Sequence, residues 1–343
     1  MTGPATVPKE SIARLAEIAV GTCAAVRPGE RLLVLTDTGG DPALADALAD
    51  AGHRAGAEVI VLRFERVDTI TMIPERVAAA MLSSDVVIPV CKSRILYSDA
   101  VRNLKATGRM LYMADVPTEL FLRPVVLDAD YEALARLASA FQKILGGDHE
   151  LHVSSARGTE ATMTIVASRD LALSICRAHE RGDHDYLPGG AWFGCPVERT
   201  VNGRFVIDCS IEPGVSGGLL NEPIALTYRD GWLVSVEGGP EAREFEAWLD
   251  SCDEQIRGFS HNGGGFNRAA SRVGNLMEDE RILGAFNIAG GNNTLGWPGT
   301  NRSRFHFDGM ILRASYSVDG VPVCDDGHFV HPLLVAAGGG ALV

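Results

Sequence analysis

The sequence lacks an ordered cysteine framework: its seven cysteines are scattered and form no C-x-x-C pair. An odd, scattered set in a chain of 343 residues indicates reduced thiols, and therefore a cytoplasmic protein without a four-cysteine zinc site. The first residues, MTGPATVPKES, contain no apolar stretch of the kind that directs secretion. The apolar tail 333–343 is too short and too rich in glycine to span a bilayer. We therefore expect neither secretion nor membrane insertion.

Positive charge is also scarce, because 31 Lys and Arg against 44 Asp and Glu give a formal net charge of −13. Nucleic acids and anionic membranes are bound through basic patches. The charge balance therefore argues against both as partners. Hydrophobic residues at 46% and charged residues at 22% are ordinary for a soluble enzyme. The acidic balance by itself does not identify a substrate.

Three motifs of common enzyme classes are missing. The turn after the first predicted strand, DTGGD at 37–41, lacks the spaced glycines of a dinucleotide-binding loop. No G-x-x-x-x-G-K-[ST] phosphate loop and no G-x-S-x-G nucleophile elbow occurs. These absences exclude NAD-dependent and nucleotide-dependent roles and argue against a Ser-His-Asp hydrolase.

The first half of the chain alternates strand-like and helix-like segments. The predicted strands are 31–36, 58–64, 85–90 and 109–113, and the predicted helices are 11–26, 42–55, 74–82 and 98–107. Asp41 before Pro42 has the pattern of an N-cap followed by proline at the first helical position. Strands alternating with helices predict a doubly wound parallel sheet covered on both faces.

The pattern changes after an amphipathic segment, 130–145, that ends at two glycines. Beyond it, short strand patterns are separated by turns rich in Gly, Pro, Asn and Asp, with one helix at 240–253. We therefore predict a mixed fold, α/β and α+β, in two domains. Residues 1–147 form the doubly wound α/β domain, and residues 148–343 form a mostly β, metal-binding catalytic domain.

The most specific functional signal is the run FHFD that contains His306 and Asp308. Alternate side chains of a strand share a face, so the imidazole and the carboxylate lie side by side. His261, just before a glycine-rich turn at 263–265, offers a second imidazole. Two histidines and one carboxylate with open positions are the ligands of non-haem Fe(II) oxygenases. The alternative is an ordinary half-buried strand and a histidine in a turn.

Two further residues are candidates for proton handling. His184 lies in a predicted polar loop, and histidine side chains usually titrate near neutrality. An exposed histidine without a catalytic role would occur in the same kind of sequence. Tyr97 follows the carboxyl end of a predicted parallel strand, where open α/β sheets usually bind ligands.

The C-terminal part of the chain resembles a known superfamily. The segments that carry the resemblance are SHNGGGFN at 260–267, GNLMEDERILG at 274–284, HFD at 306–308 and VDG at 318–320. They are similar to the M29, aminopeptidase T-like, metallopeptidases, and more closely to the 2,5-dihydroxypyridine 5,6-dioxygenases of bacterial nicotinate and picolinate breakdown. In the first half the resemblance is limited to the general α/β organisation of the segments.

One departure from the peptidases favours the dioxygenase branch. The peptidases carry a glutamate where this sequence has His261, and they use a further glutamate and histidine that the segment 284–290 does not offer. Two-metal hydrolysis needs enough ligands for both ions. Three ligands suit a single iron with open positions.

The resemblance implies an enzyme that holds Fe(II) with His261, His306 and Asp308. It implies ring cleavage of a hydroxylated pyridine by O2, with 2,5-dihydroxypyridine giving N-formylmaleamate, and it favours a homo-oligomer. Ser303 becomes a candidate hydrogen-bond partner of the ligand set. An M29-like metal-dependent aminopeptidase and a non-enzymatic metal-binding descendant are the alternatives.

Overall fold

The computed structural model describes residues 8–67 and 72–340. Its helices are α1 (Lys9–Glu17), α2 (Pro42–Arg54), α3 (Glu75–Leu82), α4 (Asp99–Leu104), α5 (Thr118–Phe121), α6 (Pro124–Leu127), α7 (Tyr131–Leu145), α8 (Pro240–Ser251), α9 (Leu276–Asp279) and α10 (Pro332–Leu334). Its strands are β1 (Arg31–Asp37), β2 (Glu58–Phe64), β3 (Val86–Pro89), β4 (Arg109–Tyr112), β5 (His149–Ser154), β6 (Glu160–Ile165), β7 (Ala172–Ser174), β8 (His184–Tyr186), β9 (Ala191–Gly194), β10 (Asn202–Ile207), β11 (Ile211–Glu212), β12 (Ile224–Arg229), β13 (Trp232–Gly238), β14 (Phe259–Gly265), β15 (Phe286–Gly291), β16 (His306–Ile311), β17 (Ser315–Val318), β18 (Val321–Asp325) and β19 (His328–Phe329).

Contacts divide the described residues into two compact units. The first contains the chain up to Tyr131 together with Ser174–Gly189, and the second contains Glu132–Leu173 and the chain from Gly190 onward. The sequence-based prediction divided the chain once, at residue 147. In the structure the chain passes between the units three times, because β8 joins the sheet of the first unit and most of α7 packs in the second.

The first unit is built on a five-stranded parallel sheet in the order β2-β1-β3-β4-β8. The predicted parallel sheet is therefore confirmed, as is its combination with a mostly β second half. The predicted start of α2 is also correct, because the Asp41 carboxylate accepts a hydrogen bond from Ala43 N at 2.9 Å. This bond satisfies one of the free N–H groups of the first helical turn.

The second unit contains two antiparallel sheets. The eight-stranded sheet has the order β13-β12-β10-β6-β5-β17-β18-β19, and the six-stranded sheet has the order β11-β16-β15-β14-β9-β7. Aromatic side chains join them: Phe205 lies 5.9 Å from Phe259, and Trp192 lies 6.0 Å from Tyr316, measured between ring centroids. This buried core holds the six-stranded sheet in place, and that sheet carries the candidate site.

Helix α7 packs on the same core through Phe141. The Phe141 ring stacks on Phe266 at 5.4 Å and contacts Trp192 at 5.8 Å and Phe329 at 5.4 Å. These partners lie far along the chain from the helix, so no local pattern shows which unit the helix joins. Long-range apolar packing decides it.

The glycines that follow His261 lie in a strand. The prediction of a glycine-rich turn at 263–265 is wrong, because β14 extends through Gly265 and is fully buried. A Cβ at Gly263 would stand 2.5 Å from Trp192 O, and one at Gly265 would stand 2.2 Å from Ile282 O. Glycine is needed here because neighbouring backbone approaches closely.

Within the described residues, none of the seven cysteines forms a disulfide bond. Within residues 8–67 and 72–340, no helix combines the length and apolar character that crossing a membrane would require. The expectation of no secretion signal concerns residues 1–11, of which 1–7 lie outside the described residues. The last three residues of the apolar tail, 341–343, lie outside them as well.

Candidate metal centre

The candidate ligands lie on two strands that flank β15 in the six-stranded sheet. His306 and Asp308 alternate with Phe307 on β16, and the predicted division of faces is confirmed. Phe307 is fully buried and its ring meets Phe245 edge-on at 4.9 Å, whereas His306 and Asp308 are half-buried. One face of the strand is core, and the other carries the polar groups.

A β-bulge in β14 turns His261 toward the same face. Phe259 stands opposite Gly290, but Asn262 stands opposite Ile288, so β14 has one residue more than its partner over this stretch. Residues directly opposite each other in a ladder share a face. Phe259 can therefore pack in the core while His261 points to the other side, a re-aiming that bulges commonly provide.

Small residues stand opposite the ligands of β16. His306 is opposite Gly291, and Asp308 is opposite Ala289. Neither neighbour has a side chain beyond Cβ, so the imidazole and the carboxylate have room to turn toward β14. The predicted ligands can meet in front of β15 because β15 carries little bulk on that face.

The three side chains converge. Nε2 of His261 lies 3.2 Å from Nε2 of His306 and 3.4 Å from Oδ1 of Asp308. Nε2 of His306 lies 3.2 Å from Oδ2 of Asp308. Ligand atoms about 2.1 Å from one metal ion stand roughly 3.0 to 3.4 Å apart at octahedral or tetrahedral angles. The donor set and its spacing therefore fit a divalent transition metal.

The tautomer of His306 also suits a metal ligand. Its Nδ1 lies 3.0 Å from the carbonyl oxygen of Asn292, which can only accept a hydrogen bond. Nδ1 must therefore carry a proton, and Nε2, which faces the cluster, is the nitrogen that can bind a metal ion once it is deprotonated. A second partner of this kind is a usual feature of metal-binding histidines. Nδ1 of His261 is buried and has no hydrogen-bond partner within the described chain.

Burial and mutual charge set the protonation of the cluster. Burial lowers the pKa of His261 to about 4. Burial also lowers the pKa of His306, but the Asp308 carboxylate and the Asn292 carbonyl outweigh it and raise the pKa above its usual value. Burial raises the pKa of Asp308, yet His306 and His261 bring it down to about 2. Asp308 is ionised and His261 is neutral at pH 7.

Aromatic rings enclose His261. Trp297 stacks on its imidazole at 4.7 Å, His306 stacks on it at 5.1 Å, and Phe193 meets it edge-on at 5.8 Å. Trp297 is carried by the loop between β15 and β16. The loop is fixed through Asn293, whose amide donates to Glu198 at 2.9 Å and accepts from Asn301 N at 2.7 Å.

Sequence reasoning missed a buried ion pair beside the cluster. Glu280 and Arg281 are 9% and 3% exposed and contact each other, and the Arg281 guanidinium lies 5.9 Å from the Phe193 ring. Burial raises the pKa of Glu280 to about 7, against the influence of Arg281. The Asp308 carboxylate contributes to this increase. The segment MEDER carries many charges, and its charge pattern alone does not show which of them are buried.

Most of the chain matches one protein family. The model of the family described as 2,5-dihydroxypyridine 5,6-dioxygenase matches residues 14–331. The chain belongs to this family. The resemblance predicted from the C-terminal motifs is confirmed, and the match extends it through the first half.

Individual relatives agree with this assignment to the dioxygenase family. A 2,5-dihydroxypyridine 5,6-dioxygenase of Pseudomonas putida KT2440 is 24% identical over 249 residues, which is 69% of each chain. A solved 2,5-dihydroxypyridine dioxygenase structure from that organism has a TM-score of 0.82 at 22% identity and covers 95% of this chain and 99% of its own. Wild-type AmpT from Thermus thermophilus has a TM-score of 0.65 at 16% identity, covering 94% and 99%. At these identities the two structures show the fold.

The other predicted site residues of this dioxygenase-family chain lie outside the three-ligand cluster. The Ser303 hydroxyl donates to Asp253 at 2.7 Å and accepts from Phe305 N at 3.0 Å. Its carbonyl accepts from the Asn292 amide at 2.7 Å, so Ser303 supports the residue that holds His306. A direct bond from its hydroxyl to a ligand stays a prediction.

Tyr97 and His184 lie in the first unit of this dioxygenase-family chain. Tyr97 is in the loop before α4, and its carbonyl accepts from Arg102 at 2.7 Å. His184 is in β8 and stacks on Tyr186 at 5.7 Å. Its buried Nε2 has no hydrogen-bond partner in the part of the chain that is described, and burial lowers its pKa to about 4. Their proton-handling roles stay predictions.

The pKa values of the cluster predict that metal binding releases protons. The raised pKa values of His306 and Glu280 favour their protonated forms, whereas near neutral pH His261 is uncharged and Asp308 is ionised. A divalent cation displaces the proton of His306 and lowers the pKa of Glu280. We therefore expect release of roughly one to two protons per metal ion at pH 6.5. The number falls as pH rises to 8.5, because Glu280, with a pKa of about 7, is by then already deprotonated, and affinity rises over the same range.

Calorimetry with Ni(II) in two buffers of different ionisation enthalpy measures this release. Glu280→Gln is the matched control, because it removes one titrating group and leaves the three ligands in place. This variant should release fewer protons per metal ion than the unchanged protein at pH 6.5, and it should still bind the metal. Equal release at both pH values, by the unchanged protein, would contradict the prediction.

Proposed function

We propose that this protein is an Fe(II)-dependent dioxygenase that cleaves a hydroxylated pyridine ring, with 2,5-dihydroxypyridine as substrate and N-formylmaleamate as product. The observation that carries the proposal is the convergence of His261, His306 and Asp308. It occurs in a chain that belongs to the 2,5-dihydroxypyridine 5,6-dioxygenase family. Two imidazoles and one carboxylate with open positions are the ligand set of non-haem Fe(II) oxygenases.

The proposed reaction balances without another co-reactant. Both oxygen atoms of O2 are added to the ring as the bond between C5 and C6 breaks, and the acid that forms loses one proton. When bound, Fe(II) would supply a route by which triplet O2 reacts with a closed-shell ring, which no side chain offers. The protein then has three tasks: to hold the ligands, to limit water and to move protons.

The described residues support each task. The ionised Asp308 and the fixed tautomer of His306 provide a rigid, anionic ligand set. Trp297 and Phe193 cover His261 and reduce the access of water to it. Glu280, with a pKa of about 7, is suited to accept and return a proton at neutral pH. We propose it as a proton acceptor in addition to Tyr97 and His184, the candidates predicted from the sequence.

Oxygen uptake tests this function. Protein stripped of metal and reconstituted anaerobically with Fe(II) should consume one O2 for each 2,5-dihydroxypyridine ring opened, with loss of the ring absorbance. Zn(II) should not support turnover, because it has no redox chemistry. Absence of turnover across several hydroxypyridines would refute the proposal. Release of amines from unblocked aminoacyl substrates with Zn(II) would favour the peptidase alternative.

A further inference from the structure

Asn287 lies between the two strands that carry the ligands. It is in β15, opposite Gly263 of β14 on one side and Met310 of β16 on the other. Its side chain is fully buried, and it shares a face with Asp308, which pairs with Ala289 two residues further along β15. The Asn287 amide therefore lies on the face of the six-stranded sheet that carries the three candidate ligands.

The orientation of this amide is fixed by its neighbour. Nδ2 of Asn287 donates to Oδ1 of Asp308 at 3.2 Å. An ionised carboxylate can only accept hydrogen bonds, so the amide must present its NH2 group to Asp308. Oδ1 of Asn287 therefore points elsewhere, and it is buried without a hydrogen-bond partner within the described residues.

A second buried amide provides a contrast. Asn262 is also fully buried, and it is the residue after His261 in β14. It stands opposite Ile288 and therefore points to the core face, where neither of its amide atoms has a hydrogen-bond partner in the described chain. Of these two amides, Asn287 is bonded to a candidate ligand and Asn262 is not.

We propose that Asn287 positions Asp308 through its NH2 group and offers Oδ1 as the acceptor for a donor of the bound substrate. This inference rests on the proposed function. A hydroxylated pyridine carries hydroxyl donors and, in its pyridone form, a ring N–H. A buried acceptor without a partner in the protein is suited to bind such a donor, because an analogue without that donor leaves the acceptor unpaired. Asn287 would thus both orient the Asp308 carboxylate and contribute to substrate specificity.

Metal affinity tests the positioning role. Asn287→Leu replaces both polar atoms with methyl groups and keeps the branching of the side chain, and Asn262→Leu makes the same change on the core face. In metal-stripped protein, Asn287→Leu should weaken Ni(II) binding by roughly 10- to 100-fold, the usual cost of losing an outer partner of a metal ligand. Asn262→Leu should bind as the unchanged protein does. Asn287→Ala and Asn262→Ala give the same comparison if leucine does not fold.

Two results would overturn the positioning role. The first is Ni(II) affinity in Asn287→Leu equal to that of the unchanged protein. The second is an equal loss of affinity in both variants together with equal losses in Tm, which would show a purely structural effect. The comparison uses Ni(II) binding alone, so it stands even if the unchanged protein shows no O2 uptake and the proposed function fails.

Substrate discrimination tests the acceptor role. With Fe(II) in excess, Asn287→Leu should raise the KM for 2,5-dihydroxypyridine by about tenfold, the effect of one buried hydrogen bond. Inhibition by 2-hydroxypyridine and 3-hydroxypyridine, each lacking one hydroxyl, identifies the donor. One of the two analogues should bind to the unchanged protein less well than 2,5-dihydroxypyridine does. The variant should bind that analogue and 2,5-dihydroxypyridine equally well. An unchanged KM, or unchanged discrimination, would assign Oδ1 to a water molecule and overturn this role.

Discussion

Alanine at His261, His306 or Asp308 is expected to abolish tight metal binding and, with it, oxygen consumption. Each substitution removes one of three converging donors, so two remain. The loss of metal affinity should exceed the roughly 10- to 100-fold that follows from losing an outer partner. Metal content after dialysis and Ni(II) calorimetry measure it directly.

The same variants should leave the metal-free fold intact. His306 and Asp308 are half-buried on the polar face of β16, and the core face of that strand, with Phe307, is unchanged. Alanine at either position removes polar contacts of the cluster and leaves that core packing in place. The Tm of metal-stripped protein should therefore shift by only a few degrees, as for typical substitutions outside the core.

His152 supplies the matched control. It is a histidine of β5 whose side chain is 40% exposed and pairs with Glu160. His152→Ala should keep metal content, oxygen uptake and Tm. Metal retention by His306→Ala at the level of His152→Ala would show that the cluster is not the metal site.

Trp192→Ala is expected to produce the largest loss of stability. Trp192 is fully buried in β9 and contacts Phe141, Phe286 and Tyr316, which belong to α7 and to both antiparallel sheets. Removing such a ring leaves a cavity where three elements meet. The expected cost is about 3–5 kcal/mol in the free energy of unfolding. For a unit of this size, Tm should fall by roughly 10 °C.

Trp232→Ala is the comparison for this prediction. Trp232 begins β13 at the edge of the eight-stranded sheet and is half-buried. Its removal should cost well under half as much, because surrounding water can fill the space. Thermal unfolding and urea titration measure both variants. Equal losses would mean that Trp192 does not join the sheets.

Local sequence signals predicted the features that depend only on residues close together in the chain. The β1–α2 unit was predictable because RLLVLT is a buried-strand run and Asp41-Pro42 begins a helix by its own chemistry. The face shared by His306 and Asp308 was predictable because strand alternation needs no knowledge of partners. The match of ligand types to a non-haem iron site followed from the same few residues.

Other features depend on distant parts of the chain. The sequence HNGGG is typical of a turn, yet it lies in β14, a central strand of its sheet. Glycine is needed there because the backbone of Trp192 and Ile282 occupies the space that side chains would fill. The burial of Glu280 and the hydrogen bond from Asn287 to Asp308 likewise depend on segments that pack only in the folded chain. No periodicity marks either residue. The unit in which most of α7 packs depends on distant contacts in the same way.

The extra residue in β14 has a consequence for how this protein and its relatives can change. If a strand of the present length ran in unbroken alternation from Phe259 to His261, the aromatic ring and the imidazole, two residues apart, would emerge on the same side. Either the hydrophobic interior would lose a ring or the ion would lose a donor. The irregularity in the ladder therefore keeps both groups in place, and relatives that keep the chemistry with a strand of this length should keep the bulge.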